Sequence, residues 1–383
     1  MRIYRECEGR IYIVKNILVI PSLKPDEKLI KLVNDINGSE LLNMIESILI
    51  VDDGSGDAYS DCFKRCGELG CVILRHEVNR GKGAALKTAA SYIRDAFGKD
   101  YGMITADSDG QHLPKDIIKV AKDMEENPDS LVLGVRKFGK GTPAKSLFGN
   151  RLTSLIFKLI CGIWVPDTQT GLRGIPPSLM AVSANGEGDR YEYEMNILMD
   201  ACLTNKFYYT PIETVYHDDN KGSHFRPLRD GVRVYGRFIR FLLASVGGFV
   251  VDILLFTLLT AALPAFSLEG GGVFPVFMTG NVPGDIDSAR IMLATIIARI
   301  CSGAVNFLLN KHIAFKSDEK TSAEAVRYFV LFVCQMLVSG ICTAIITKVL
   351  KIAAFAKIIV DVVLFFISFR IQRAWVFRKR TEK

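Results

Sequence analysis

Short apolar runs alternate with amphipathic stretches over the first part of the chain. "ILVIPS" (17–22), "ILIVDDGS" (48–55), "CVILRH" (71–76), "YGMITADS" (101–108) and "SLVLGVR" (130–136) read as buried strands. Helical patterns separate them, beginning at Asp26, Asp57 and Pro114, with another from Gly81 to Phe97. Strand and helix in strict alternation predict a mostly parallel sheet covered on both faces. Ligands in such sheets bind beyond the carboxyl ends of the strands. Three polar clusters fall at those ends: Asp52-Asp53-Gly54-Ser55, Asp107-Ser108-Asp109, and Arg136.

The pattern changes after Phe225. Four long apolar stretches follow, about Phe238–Ala262, Ile291–Phe315, Tyr328–Thr347 and Ile352–Trp375. Each is near the ~20 residues that cross a bilayer. The expectation is an all-α, four-span transmembrane domain at 238–377 behind a soluble domain at 1–225. Between them, Arg226, Arg229, Arg233, Arg237 and Arg240 recur at helical spacing. This makes 226–237 a basic amphipathic helix lying on anionic lipid, or else simply a solvated basic face. Residues 378–383 form a short basic tail.

The second half also repeats itself. "NFLLNKHIAF" (306–315) and "SFRIQRAWVF" (368–377) close the second and fourth spans, while "IRFLLASVGGFVVD" and "VRYFVLFVCQMLVS" open the first and third. Aligning Phe315 with Phe377 sets Asp361 opposite Arg299. The expectation is that Arg299 pairs with Asp252 or Asp361 inside the bundle near mid-membrane, since charges in spans are costly unless paired.

Charge and composition settle the topology. The formal net charge is +7 over 383 residues. Basic residues precede span one, lie between spans two and three, and close the chain, whereas the loop 263–289 has acids but no Lys or Arg. Positive-inside reasoning puts both termini in the cytoplasm, with Lys348, Lys351 and Lys357 as a mild exception. "MRIYRECEGR" has no apolar core, so the soluble domain is expected to stay on the cytoplasmic side of the plasma membrane. Nine cysteines without a Cys-x-x-Cys pair or a Cys/His metal spacing read as buried reduced thiols.

The chemistry lies in four motifs. No G-x-G-x-x-G follows the first strand and no G-x-x-x-x-G-K-[ST] is present, which removes dinucleotide binding and P-loop hydrolysis. "NRGKGAALKTAA" (79–90) is instead a basic, glycine-rich start of a helix. Its amides, its dipole and Arg80 or Lys82 suit a diphosphate. The acid pair in "ADSDGQH" (106–112) at a neighbouring strand end asks for a bridging hard divalent cation.

"IVDDGSGD", "NRGKGAAL", "ADSDGQH" and "DTQTGLRG" (167–174), in that order, resemble glycosyltransferase family 2, within it the dolichol-phosphate mannose synthase and bactoprenol glucosyltransferase group. The resemblance covers roughly residues 15–225 and implies an α/β GT-A fold, Rossmann-like, with inverting transfer of a hexose from a nucleotide sugar (GDP-mannose or UDP-glucose type) to a polyprenyl phosphate. It implies that Pro21, Asp52 and Asp53 hold the nucleoside, and that Asp107 with Ser108 touches the donor. Asp109 with Gln111, beside Asp107, would ligate Mg²⁺ or Mn²⁺, and Arg136 would face the donor's phosphates or sugar. Asp167 and Arg173 are the candidates for orienting acceptor or donor phosphates, with a plain loop role as the alternative. Glu192 and Glu194 in "YEYEMNIL" are either catalytic acids or ordinary acids of a helix start. The membrane half resembles the GtrA-like four-span family.

Two departures stand out. Leu23 and Pro25 occupy positions where mannose synthases carry Tyr and Glu, and "HDDNKGSHF" (217–225) offers His224 in place of a lysine. Lys221 and His224 are candidate cations for the acceptor phosphate, unless His224 is a surface histidine. The expected partners are a nucleotide sugar, a polyprenyl phosphate, membrane lipid and a second copy of the chain; no nucleic acid is expected. Two other functions compete. A processive polysaccharide synthase needs Gln-x-x-Arg-Trp in the soluble domain, yet Gln372-Arg373-Ala374-Trp375 has the wrong spacing. A lipid-sugar translocator with a merely binding soluble domain would not need the intact Asp-x-Asp.

Overall fold

The computed structural model describes residues 6–7, 10–11, 15–136, 144–202, 204–213, 236–262, 288–317, 319–350 and 353–377. Lys221 and His224, most of the basic segment 226–237, the loop 263–287 and the tail 378–383 lie outside the described residues. The chain divides into two compact units, Met1–Tyr235 with Thr381–Lys383, and Gly236–Arg380.

The first unit is built on a seven-stranded sheet. Its strands are β1 (Lys15–Ser22), β2 (Ile45–Asp52), β3 (Val72–Arg75), β4 (Tyr101–Thr105), β5 (Ser130–Arg136), β6 (Arg173–Ile175) and β7 (Lys206–Ile212), ordered β3-β2-β1-β4-β6-β5-β7. All pairs are parallel except those of β6, which runs antiparallel to both β4 and β5. Ile17, Leu18, Val19 and Ile20 of β1 are fully buried, as a central strand covered on both faces must be. The helices of this unit are α1 (Glu27–Asn37), α2 (Ser60–Glu68), α3 (Lys82–Ala96), α4 (Pro114–Glu126), α5 (Ala144–Cys161), α6 (Pro177–Ala184) and α7 (Glu192–Ala201). Asp26 caps α1 by accepting from the Lys28 amide at 2.9 Å, and Pro114 opens α4 where its missing N–H costs nothing.

The expected alternation holds from β1 to β5. It breaks at β6, three residues long and wedged antiparallel into the sheet, which carries no periodic signal of its own. The chain order reverses between β1 and β4, so the carboxyl ends of β1, β2 and β4 open one crevice at the switch point. Cys66 of α2 and Cys71 are buried, and burial pushes their thiols up to about 12 and about 11, whereas Cys301 and Cys334 are exposed, against the expected burial.

The second unit contains α8 (Gly236–Ala262), α9 (Ser288–Leu309), α10 (Thr321–Leu350) and α11 (Ala353–Ile371). Phe238–Leu259, Leu293–Ala314 and Thr321–Cys342 are long and apolar enough to cross a membrane. The expected fourth span is a 19-residue helix with Lys357, Asp361 and Arg370 along it.

The duplication read in the sequence is visible in the packing. A π-helical turn closes α9 at Asn310–Ala314, and another closes α11 at the matching Gln372–Val376. Phe315 and Phe377 stack on each other at 5.0 Å. Phe307 packs on Phe377 at 5.8 Å as Phe369 packs on Phe315 at 5.7 Å. Asn310 donates to Asn306 where Gln372 donates to Ser368.

Arg299 Nε stands 3.5 Å from Asp252 Oδ2, and Ser302 donates to the same carboxylate at 3.0 Å. The Arg299 side chain is 54% exposed, so the pair forms on the side of the bundle and not in its interior as expected. In the second repeat Ser339 and Asp361 occupy the aligned positions, and the Ser339 hydroxyl donates to Asp361 at 2.9 Å. The contact is kept while its chemistry differs.

Reversing Arg299 or Asp252 alone is expected to lower the unfolding temperature of the full chain in detergent. Reversing both is expected to recover roughly 1 kcal/mol of coupling, typical of polar contacts between membrane helices. A double variant no better than the sum of the singles would show the pair to be energetically idle.

Candidate active site

The loop after β2 is fixed from within. The buried Asp52 carboxylate accepts from the Ser55 amide at 2.8 Å and pairs with Arg75 Nε at 3.0 Å, while Ser55 Oγ accepts from the Lys24 amide at 2.8 Å. Gly54 has φ +72° and a Cβ there would stand 2.3 Å from the Val78 carbonyl carbon, so this close approach requires glycine. Asp53 is turned inward. Its carboxylate accepts from the amides of Arg80 at 2.9 Å and Gly81 at 2.7 Å, and from His76 Nδ1 at 2.7 Å. The Thr88 hydroxyl meets the other ring nitrogen at 2.9 Å. Both oxygens of Asp53 are thereby engaged, and its work is to hold the 76–81 loop at the start of α3. This carboxylate, expected to contact a nucleoside, lies just past the carboxyl end of β2. Pro21 sits in register with Val51 at the buried end of β1, and the Arg80 side chain is exposed.

Lys82, the first residue of α3, does not point to solvent. Its Nζ lies 2.6 Å from Asp107 Oδ1 and 3.1 Å from Glu194 Oε1, joining the start of α3, the Asp-x-Asp turn and α7. Burial alone would push the Asp107 carboxyl up, but the Lys82 ammonium outweighs it and holds the group down at about 2. The Asp107 amide donates to His112 Nδ1 at 2.9 Å, which requires an unprotonated nitrogen there. Burial likewise holds His112 below the usual histidine range, against the pull of Asp107. Gly171 presses on Asp107 so closely that a Cβ would meet Oδ2 at 2.3 Å, and Thr105 Oγ1 donates to the Gly171 carbonyl at 2.7 Å.

Asp109 is different. It is exposed, and its Oδ1 accepts from the Gln111 amide at 2.9 Å in a local turn. Ser108 and Gln111 are half-buried beside it. Among the described residues no group of three or more His, Cys, Asp or Glu gathers as a complete metal cage. Two hard carboxylates, one exposed and one kept anionic, nevertheless suit an ion such as Mg²⁺, which takes one or two carboxylates and completes its shell with substrate phosphate. Asp107, Asp109 and Gln111 are the groups that could hold it.

Arg136 and Asp167, both foreseen as ligand-facing, face each other. Arg136 Nε and Nη2 donate to Asp167 Oδ2 and Oδ1 at 2.6 and 2.9 Å, a two-pronged pair on a fully buried carboxylate. Arg173 is buried, and its guanidinium donates to the carbonyls of Thr170 at 2.8 Å, Glu194 at 2.6 Å and Thr168 at 3.3 Å. It clamps the 168–170 turn onto α7. Glu192 accepts from the amides of Asp189 and Arg190 at 3.2 and 3.3 Å, which is the helix-start reading, while Glu194 joins the site through Lys82. His76, His112 and Gly171 went unread in the sequence as parts of the site, whereas Glu194 was read as either a catalytic acid or an acid of a helix start. His112 closes the "ADSDGQH" motif and Gly171 lies within "DTQTGLRG", and that was the available signal.

Residues 19–168 match Glycosyl transferase family 2, and residues 240–377 match the GtrA/DPMS transmembrane domain. The chain is 33% identical over 223 residues to the UDP-N-acetylglucosamine–dolichyl-phosphate N-acetylglucosaminyltransferase of Methanococcus voltae, covering 52% of this chain and 85% of that one. It is 32% identical over 209 residues to an uncharacterized protein of Methanocaldococcus jannaschii, covering 52% and 81%. Among solved structures it is similar to glucosyl-3-phosphoglycerate synthase of Mycobacterium tuberculosis in complex with Mn²⁺, UDP and phosphoglyceric acid. That match has a TM-score of 0.44 and 17% identity, over 60% of this chain and 78% of that one.

Arg136→Met leaves the buried Asp167 carboxylate without its counter-ion and is expected to cost about 3–5 kcal/mol of stability. Asp167→Asn is expected to cost clearly less, because Arg136 is partly open to water. Denaturant unfolding of both variants in detergent checks the order, and equal losses would mean that burial of the carboxylate does not set the cost.

Proposed function

The chain belongs to Glycosyl transferase family 2 and carries a GtrA/DPMS transmembrane domain, and on that premise we propose that it moves a hexose or N-acetylhexosamine from a nucleotide sugar to a polyprenyl phosphate on the cytoplasmic side of the membrane. The observation that carries this reading is the Asp-x-Asp turn at the switch point of the sheet, with Asp109 exposed and Asp107 kept anionic. The name of the Methanococcus relative, a dolichyl-phosphate transferase, supports the lipid acceptor. Lys221 and His224 are the proposed acceptor-side cations, and both termini are proposed to be cytoplasmic.

In the proposed reaction an oxygen of the acceptor phosphate attacks the anomeric carbon. A new carbon–oxygen bond forms as the bond from that carbon to the donor's β-phosphate oxygen breaks, with inversion. The electron pair leaves with the nucleoside diphosphate. The acceptor phosphate is already anionic, so no proton need be removed, which agrees with Glu192 and Glu194 being engaged in structure. The exposed Arg80 and the amino end of α3 supply positive potential for the diphosphate. Asp107 and Asp109 would hold a divalent ion whose charge stabilises the departing diphosphate. Lys82 keeps Asp107 ionised, and the Arg136–Asp167 fork fixes the end of β5.

Asp109→Asn is expected to lower turnover on the order of 10³-fold or more. The unfolding midpoint is expected to stay unchanged, because an asparagine carbonyl accepts the Gln111 amide as well as the carboxylate does. Near-normal turnover in a chelator-free assay would sink the metal-site assignment.

A further inference from the structure

A second arginine, from far along the chain, lies against the start of α3. Gly81 has φ +107°, and a Cβ there would stand 2.3 Å from the Asp189 carbonyl oxygen and 2.7 Å from Arg190 Cγ. A Cβ on Gly83 would meet the Arg190 carbonyl oxygen at 2.8 Å. The backbone of 189–190 and the stem of Arg190 therefore rest directly on this turn, in space that only glycine leaves open. The seat is fixed from several sides. The amides of Asp189 and Arg190 donate to Glu192, the Ala84 amide donates to the Asp189 carbonyl at 3.0 Å, and the Asp189 carboxylate pairs with Lys87 at 2.5 Å.

The side chain that leaves this seat is exposed, as is that of Arg80 beside it. Among the described residues no carboxylate stands within ion-pair distance of either arginine. The other cation of this corner is committed, since Lys82 is held by Asp107 and Glu194. Of the basic residues in "NRGKG", only Arg80 is thus left to meet an anion. We propose that Arg190 is a second guanidinium on the diphosphate of the donor, acting beside Arg80, and that its seat on Gly81 and Gly83 places it there.

The assignment rests on the function proposed above, which supplies the donor. The two arginines start from neighbouring points of the chain, on either side of Gly81, so both heads can close on one anion. The next residue, Lys82, reaches Asp107, so this corner borders the proposed metal site. A diphosphate gathers negative charge as the sugar leaves, more than Arg80 alone can answer, and a planar fork of donors suits its oxygens. A monophosphate needs only one such partner. Arg190 therefore adds to the hold on a nucleoside diphosphate far more than to the hold on a nucleoside monophosphate. A lysine in its place keeps the charge but loses the fork.

The test titrates the full chain in nanodiscs, with Mn²⁺ present, with UDP and GDP and with UMP and GMP. Arg190→Gln is expected to weaken whichever diphosphate the wild type binds by about tenfold, the worth of one charged hydrogen-bonding partner. Binding of the matching monophosphate is expected to change little, and Arg190→Lys is expected to recover part of the loss. The unfolding midpoint is expected to stay in place, because the Arg190 side chain is exposed. In turnover, KM is expected to rise for the nucleotide sugar and not for undecaprenyl phosphate. Unchanged diphosphate binding would overturn the assignment, as would equal losses for diphosphate and monophosphate. A lowered unfolding midpoint in both variants would assign Arg190 to the fold and overturn it too. A rise in KM confined to undecaprenyl phosphate would move the residue to the acceptor and overturn it. A wild-type chain that binds neither UDP nor GDP would refute the proposed function along with this inference, so the wild type tells the two failures apart.

Discussion

The Lys82 ammonium lies within 2.6 Å of Asp107 and 3.1 Å of Glu194, and three segments depend on that one cation. It is placed by the turn at Gly81, which Asp53 holds through two backbone amides. It ties the Asp-x-Asp turn to α7, whose Glu194 carbonyl in turn receives Arg173. Without it the half-buried carboxylate just past the end of β4 would lose its nearest counter-charge. With it, Asp107 stays charged and Asp109, one residue beyond the serine, is left open to the crevice. The division of labour between the two acids follows: one is held by the fold and the other is offered to the ligand.

The membrane unit shows how far a duplication preserves geometry. Its aromatic cluster, its π-helical ends and its amide contacts recur in both repeats. The polar contact between helices recurs too, but as Asp252 with Arg299 in one repeat and Ser339 with Asp361 in the other. Packing constrains shape at every turn of the helix, whereas a mid-helix polar contact needs only two complementary groups. The repeats are free to differ there.

Much of this was legible in the sequence because it depends on local pattern. Strands rich in β-branched residues, the glycine at 54 and the acids after β4 all announce themselves within a few residues. The Arg299–Asp252 pair was legible because charge in an apolar helix demands a partner. The inward turn of Asp53 was not, since its partners at 76, 80 and 81 come from the next loop and a carboxylate at a strand end can face either way. The Arg136–Asp167 fork was missed for the same reason: each residue suits a phosphate, and only the fold brings them together. Strand β6 is too short for periodicity to find.

The most direct test of this account is a radiolabel transfer assay with the purified chain in membranes, a panel of nucleotide sugars, undecaprenyl phosphate and a divalent cation. The account predicts that label from one sugar moves into an organic-soluble lipid product, with one nucleoside diphosphate released per sugar transferred. Label appearing only as free sugar or as polymer, with no sugar lipid from any donor, would contradict it.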